Sequence, residues 1–136
     1  MKRVIFLSFV ILLMGSLLSN GQTAKNETKS SSSNDKVEAY YFHFTARCET
    51  CRTVESEAKN DIQSLYNGAV TFKAVNLDDD SSKALAEKLQ VSGQTLLLVK
   101  GNEQINITNE GFLYAVTNPD KLKSVIKEKV DGLLDM

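Results

Sequence analysis

Two cysteines three residues apart, Cys48 and Cys51, are the side chains in this sequence best suited to chemistry. In Cys48-Glu49-Thr50-Cys51 they stand one helical turn apart. If the motif opens a helix, unpaired amide donors and the positive end of the helix dipole stabilise a thiolate on Cys48. That field is worth about 0.3–2 kcal/mol and lowers the thiol pKa by roughly one unit. Arg47 acts in the same direction and Glu49 against it. Cys48 is then the nucleophile. Cys51, one turn in, is the resolving thiol that attacks a mixed disulfide on Cys48 and releases product. The expected working element is a redox disulfide, Cys48–Cys51.

Two other uses of the pair stay open. As a structural disulfide it would close a loop of only four residues, worth about 2 kcal/mol by the chain-entropy formula, less than a long-range bridge. As a soft-metal site, Cys48, Cys51 and His43 would bind Cu(I) or Zn(II). His43 precedes the motif on a strand beside Tyr41, Phe42 and Phe44, a setting in which a packed histidine is commoner than a ligand. With one His and two Cys in 136 residues, a four-ligand structural zinc site would need carboxylates or a second chain. The alternative to an oxidoreductase is therefore a periplasmic metal binder or a noncatalytic adaptor.

The elements that must position these thiols alternate between strand and helix. Val37 to Phe44 is β-branched and aromatic, with almost no charge after Glu38, and reads as a central strand covered on both faces. Val54, Ala58, Ile62 and Leu65 form one apolar stripe on a helix from Glu49 to Tyr66, stopped by Asn67-Gly68. Ala69 to Asn76 is a second strand. Asp78 to Ser82 is a polar turn offering helix caps, without the later Gly and bidentate Glu of a calcium loop. A short helix, Lys83 to Gln90, turns Leu85, Ala86 and Leu89 inward. Thr95 to Lys100 is a buried strand, and Gly101-Asn102 turns it into a strand from Glu103 to Thr108. A loop carrying Phe112 and Tyr114 leads to Asn118 as cap and Pro119 as first residue of a helix to Leu134, with Leu122, Val125, Ile126 and Val130 inward. The order is βαβαββα, an α/β domain over residues 36–136 with a central mixed sheet flanked by helices.

Residues 1–35 read as targeting and tether. Lys2 and Arg3 precede an apolar run, Val4 to Leu18, that would span about 22 Å as a helix, short of a hydrocarbon core of about 30 Å. Ser19 and Gly21 have the spacing a signal peptidase needs, so residues 1–21 are expected to be a cleaved secretory signal, the alternative being a retained anchor. Residues 22–35 form a polar, Ser-rich linker unable to offset its ordering entropy by burial. The expected location is the periplasm or the exterior, where disulfide is the resting state unless something reduces it. The mature form has no expected membrane span. Sixteen Lys+Arg against seventeen Asp+Glu leave no basic excess for nucleic acid. Phosphate-loop and nucleophile-elbow motifs are absent, and no cofactor is expected. The expected partner is a protein bearing a disulfide or dithiol, engaged by a monomer.

The segment Tyr40 to Tyr66 resembles the active-site strand and helix of the thioredoxin fold. The run Ala74 to Asp80, then Ala84 to Val91 and Gln94 to Glu103, is similar to the central thioredoxin stretch almost element for element. The resemblance covers about Val37 to Leu134, without the extra first strand and helix of full-length thioredoxins. More narrowly, Tyr41-Phe42-His43-Phe44 and Arg47-Cys48-Glu49-Thr50-Cys51-Arg52 resemble the exported bacterial ArsF family of thioredoxin-like proteins, whose name invokes a nitrophenyl-compound nitroreductase subunit. The resemblance implies an exported thiol–disulfide oxidoreductase or electron-transfer protein. Two positions depart from the thioredoxin pattern. Where thioredoxins carry a cis-proline before the Thr of the penultimate strand, here Thr95, this chain has Gln94. A cis bond there would cost about 2.5–4 kcal/mol, so a trans loop is expected, with Gln94 or Thr95 able to reach the sulfur. Where thioredoxins bury a carboxylate for the resolving thiol's proton, this chain has Phe42. The proton of Cys51 would then pass to water, His43 or Glu55.

Overall fold

A computed structural model describes residues 35–136; the expected signal at residues 1–21 and, except for Asp35, the expected linker lie outside the described residues. The first strand, β1 (Val37–His43), is the interior strand that its run of apolar and aromatic residues from Ala39 to Phe42 requires. The sheet order is β2-β1-β3-β4, with β2 (Thr71–Asn76) parallel to β1 and β3 (Thr95–Lys100) antiparallel to it. The fourth strand, β4 (Glu103–Asn106), pairs antiparallel with β3 at the edge.

Side chains of β1 and β3 alternate between two cores, as the two-residue period of a strand demands. Val37, Ala39 and Tyr41, with Leu96 and Leu98, face one layer built on α1 (Glu49–Tyr66), α3 (Thr108–Tyr114) and α4 (Pro119–Leu134). Tyr40, Phe42, Leu97 and Val99 face the other, closed by Ala86 and Leu89 from α2 (Lys83–Lys88) and the residue after it. The mixed α/β sheet flanked by helices is thus as the sequence predicts. Among the described residues no helix is long and apolar enough to cross a membrane.

Three local expectations are corrected. The loop carrying Phe112 and Tyr114 is the helix α3, a seven-residue element containing a glycine, which periodicity overlooks. Gly111 lets it approach α1 and β3: a Cβ there would stand 3.1 Å from Val54 Cγ1 and 3.4 Å from Leu96 Cδ2. Thr108 leaves the edge strand to start this helix, its hydroxyl accepting the Leu96 N–H at 2.9 Å, so β4 is shorter than expected. Finally, the Asp78–Ser82 turn supplies no side-chain cap. A 3₁₀ turn at Asp80–Ser82 runs into α2, and neither Asp79 nor Ser82 caps with its side chain. The flanking elements also differ at their margins, β2 starting at Thr71 and α2 ending at Lys88.

Candidate functional site

At the carboxyl end of β1 the chain crosses to α1 through residues 44–47, and that crossing is held from the neighbouring strand. The parallel register pairs His43 with Asn76, so the residues just beyond the two strand ends meet. Leu77 N–H donates to His43 O at 2.7 Å, Asn76 Nδ2 to Thr45 Oγ1 at 2.8 Å, and Thr45 N–H to Asp78 Oδ2 at 2.7 Å. The Thr45 amide, the largest cause, holds the Asp78 carboxyl below its usual range. Asp78, expected in a turn that offers helix caps, therefore anchors instead the loop that carries the cysteines. The parallel pairing of the two strands was the signal that could have revealed it.

The tethered loop delivers Cys48 to the N-cap of α1. Its extended backbone, φ −72° and ψ 167°, leaves the sulfur free to accept the Cys51 N–H at 3.3 Å. The two cysteines form a disulfide with Cα atoms 5.2 Å apart. They are not equivalent: Cys48 is exposed, whereas Cys51 is 4% exposed. A partner arriving from solvent meets the Cys48 sulfur first. Helix geometry thus assembles an accessible sulfur, an amide donor aimed at it and a sheltered second sulfur.

Gln94 completes the site from the segment before β3. Its Oε1 lies 3.3 Å from Cys51 Sγ, and the described residues contain no cis peptide bond. In the disulfide the sulfur has no proton to give, but on reduction the Cys51 S–H faces a ready acceptor. Thr95 does not reach the sulfur; its hydroxyl donates to Gly93 O at 2.9 Å. Glu49 is exposed at the start of α1 and Thr50 half-buried beside it. Arg47 pairs with Glu55 two turns into α1.

His43 is committed elsewhere. Its ring stacks on Tyr41 at 6.1 Å, and Nδ1 lies 3.0 Å from Phe44 O, which can only accept, so Nδ1 carries the proton. Among the described residues no three His, Cys, Asp or Glu gather where they could hold a metal ion, so His43 is not assembled with Cys48 and Cys51 as a ligand set. Phe42 is wholly buried in the layer of α2. Tyr41, on the opposite face, buries its hydroxyl with no partner, and burial pushes its pKa up to about 12.

Comparison with known proteins bears on the fold. No protein-family model and no curated protein matches the chain. Among solved structures it is similar to Trxlp from Edwardsiella tarda, with TM-score 0.51 and 19% identity over 69% of this chain and 84% of that one. It is also similar to oxidised thioredoxin O2 from Arabidopsis thaliana, with TM-score 0.48 and 26% identity over 69% and 75%. Strand order, helix placement and the first of these likenesses agree: the chain has a thioredoxin-like fold, with a CxxC disulfide at the start of its first helix.

Proposed function

We propose that this protein is an exported thiol–disulfide oxidoreductase, with Cys48 as nucleophile and Cys51 as resolving thiol. One observation carries the reading: the disulfide joins an exposed sulfur at a helix N-cap to a buried one a turn inside. The reduced Cys48 thiolate attacks a partner disulfide, forming a Cys48–S–S–partner bond and expelling the partner's other sulfur as thiolate. Cys51, losing its proton, then attacks Cys48 Sγ, restoring the Cys48–Cys51 bond and releasing the partner as a dithiol. The partner gains two electrons and the protein loses two; run backwards, the same steps oxidise a client.

Export rests on the Lys2-Arg3 start, the apolar run to Leu18 and the small residues Ser19 and Gly21, and places the domain in the periplasm or outside the cell. The narrower likeness to the ArsF family fits within this reading as electron transfer by the same dithiol. The protein works as a monomer on a disulfide- or dithiol-bearing protein.

The test is the reduction potential of the purified protein, equilibrated in graded thiol–disulfide buffers with free thiols trapped and counted by mass. Reversible exchange between roughly −270 and −120 mV supports the proposal and gives the direction of electron flow. A potential below about −300 mV, or a bond that does not exchange, would make the disulfide structural. Cys48→Ser must abolish exchange; full activity in that variant overturns the assignment of roles.

A further inference from the structure

The exchange steps proposed above leave the Arg47–Glu55 ion pair, eight residues apart in the sequence, unused. Its two side chains are only 21% and 23% exposed. At about 100° per residue, Glu55 lies roughly 20° around α1 from Cys48 and 40° from Cys51. Along the axis Glu55 lies about 10 Å beyond Cys48 and about 6 Å beyond Cys51, so a guanidinium anchored at residue 47 that meets Glu55 runs along the helix face bearing both cysteines. Both charges also act, in opposite directions, on the buried, unpartnered Tyr41 hydroxyl of β1, Arg47 raising its acidity and Glu55 lowering it.

We propose that Glu55 is a positioning residue of the dithiol centre. By pairing with Arg47 it draws the guanidinium of the residue before Cys48 along α1 and offsets its charge, leaving the thiolate less stabilised than an unpaired Arg47 would make it. The inference rests on the thiol–disulfide reading of the site. Other charged and titratable groups surround the motif without duplicating this arrangement. On α1, Arg52 and Lys59 line the same surface hollow as Arg47 and Glu55, but they and Glu49 are exposed to solvent, which screens them. On β1, His43 is turned to Phe44, and on the turn after β2, Asp78 is held by Thr45. Glu110 on α3 acts on Lys129 of α4, and Gln94 brings only a neutral amide.

The experiment follows iodoacetamide alkylation of Cys48 against pH in the reduced full chain, together with glutathione exchange. Glu55→Gln frees Arg47 and should lower the alkylation midpoint by about half to one pH unit, raising the rate at pH 6 roughly three- to tenfold. Arg47→Gln leaves Glu55 uncompensated and should raise the midpoint. The double variant should return it to the wild-type value, and Glu55→Asp, which keeps the charge, should hold it there. Singles that shift in the same direction, or not at all, overturn the proposal, as does a double variant that stays displaced. So does Glu55→Gln slowing turnover with an unchanged midpoint, which would make Glu55 the proton acceptor for Cys51. A wild-type chain that fails to exchange while the midpoints still split would refute the oxidoreductase reading and leave the pairing intact.

Discussion

Reducing the Cys48–Cys51 bond should cost this fold little. The bridge closes a loop of four residues, which by the chain-entropy formula stabilises the oxidised form by about 2 kcal/mol. Two contacts then favour the reduced form. The Cys51 N–H already points at the Cys48 sulfur at 3.3 Å, and a thiolate at a helix N-terminus gains about 0.3–2 kcal/mol. Gln94 Oε1, 3.3 Å from Cys51 Sγ, accepts the new S–H for about 0.5–1 kcal/mol. The balance leaves the reduced protein less stable by no more than about 2 kcal/mol. Because the stability gap equals the difference in potential between folded and unfolded dithiol, that is about 40 mV at most. Urea unfolding of the same preparation with and without reductant measures the gap, with free thiols counted by mass at each end. A loss above about 4 kcal/mol, or a reduced chain unfolded in buffer, would refute the reasoning and make the bond a staple.

Asp61 is 7% exposed with Oδ2 unpartnered, and Lys123 Nζ is 3.7 Å from Oδ1. Burial raises its folded pKa above the unfolded value of 3.8, so ionised Asp61 destabilises the fold at neutral pH, and the penalty fades as pH falls through the raised value. Asp61→Asn should stabilise by about 1 kcal/mol at pH 7 and lose that advantage below about pH 4; denaturation across pH that shows no such convergence contradicts this. In Gly111→Ala, better helix propensity gains about 0.5–1 kcal/mol, while crowding of the wholly buried Val54 and Leu96 costs about 1–3 kcal/mol. A net loss near 1 kcal/mol is expected, and a higher melting temperature would show that α1 and β3 give way. Gln94→Ala removes the acceptor facing the reduced Cys51 thiol and should make the potential more negative by about 10–20 mV. An unchanged or more positive potential would mean that Gln94 does not favour the reduced form.

Much of the fold was legible because each long element carries its own local signal. The apolar stripe from Val54 to Leu65, stopped by Asn67-Gly68, marks α1 from Glu49 to Tyr66, and Asn118-Pro119 marks the start of α4. The unbroken run through Tyr40, Tyr41 and Phe42 announces a strand buried on both faces, and β1 has helices over each side. The short elements were harder. Seven residues with a central glycine hold too little periodicity to announce α3, whose reason to be a helix is the fit of Gly111 against Val54 and Leu96.

By itself the sequence determined that two thiols stand one turn apart where a strand becomes a helix, because spacing, helix period and capping are properties of neighbouring residues. Tertiary structure decided which of the candidate neighbours surround them. It brought Gln94 to Cys51 across 43 residues and Thr45 to Asp78 across 33, turned His43 towards Phe44, and drew Arg47 to Glu55. The contacts of Gln94 and Asp78 depend on the path of the chain through a parallel pairing and an antiparallel return, and no local pattern encodes where two such paths meet.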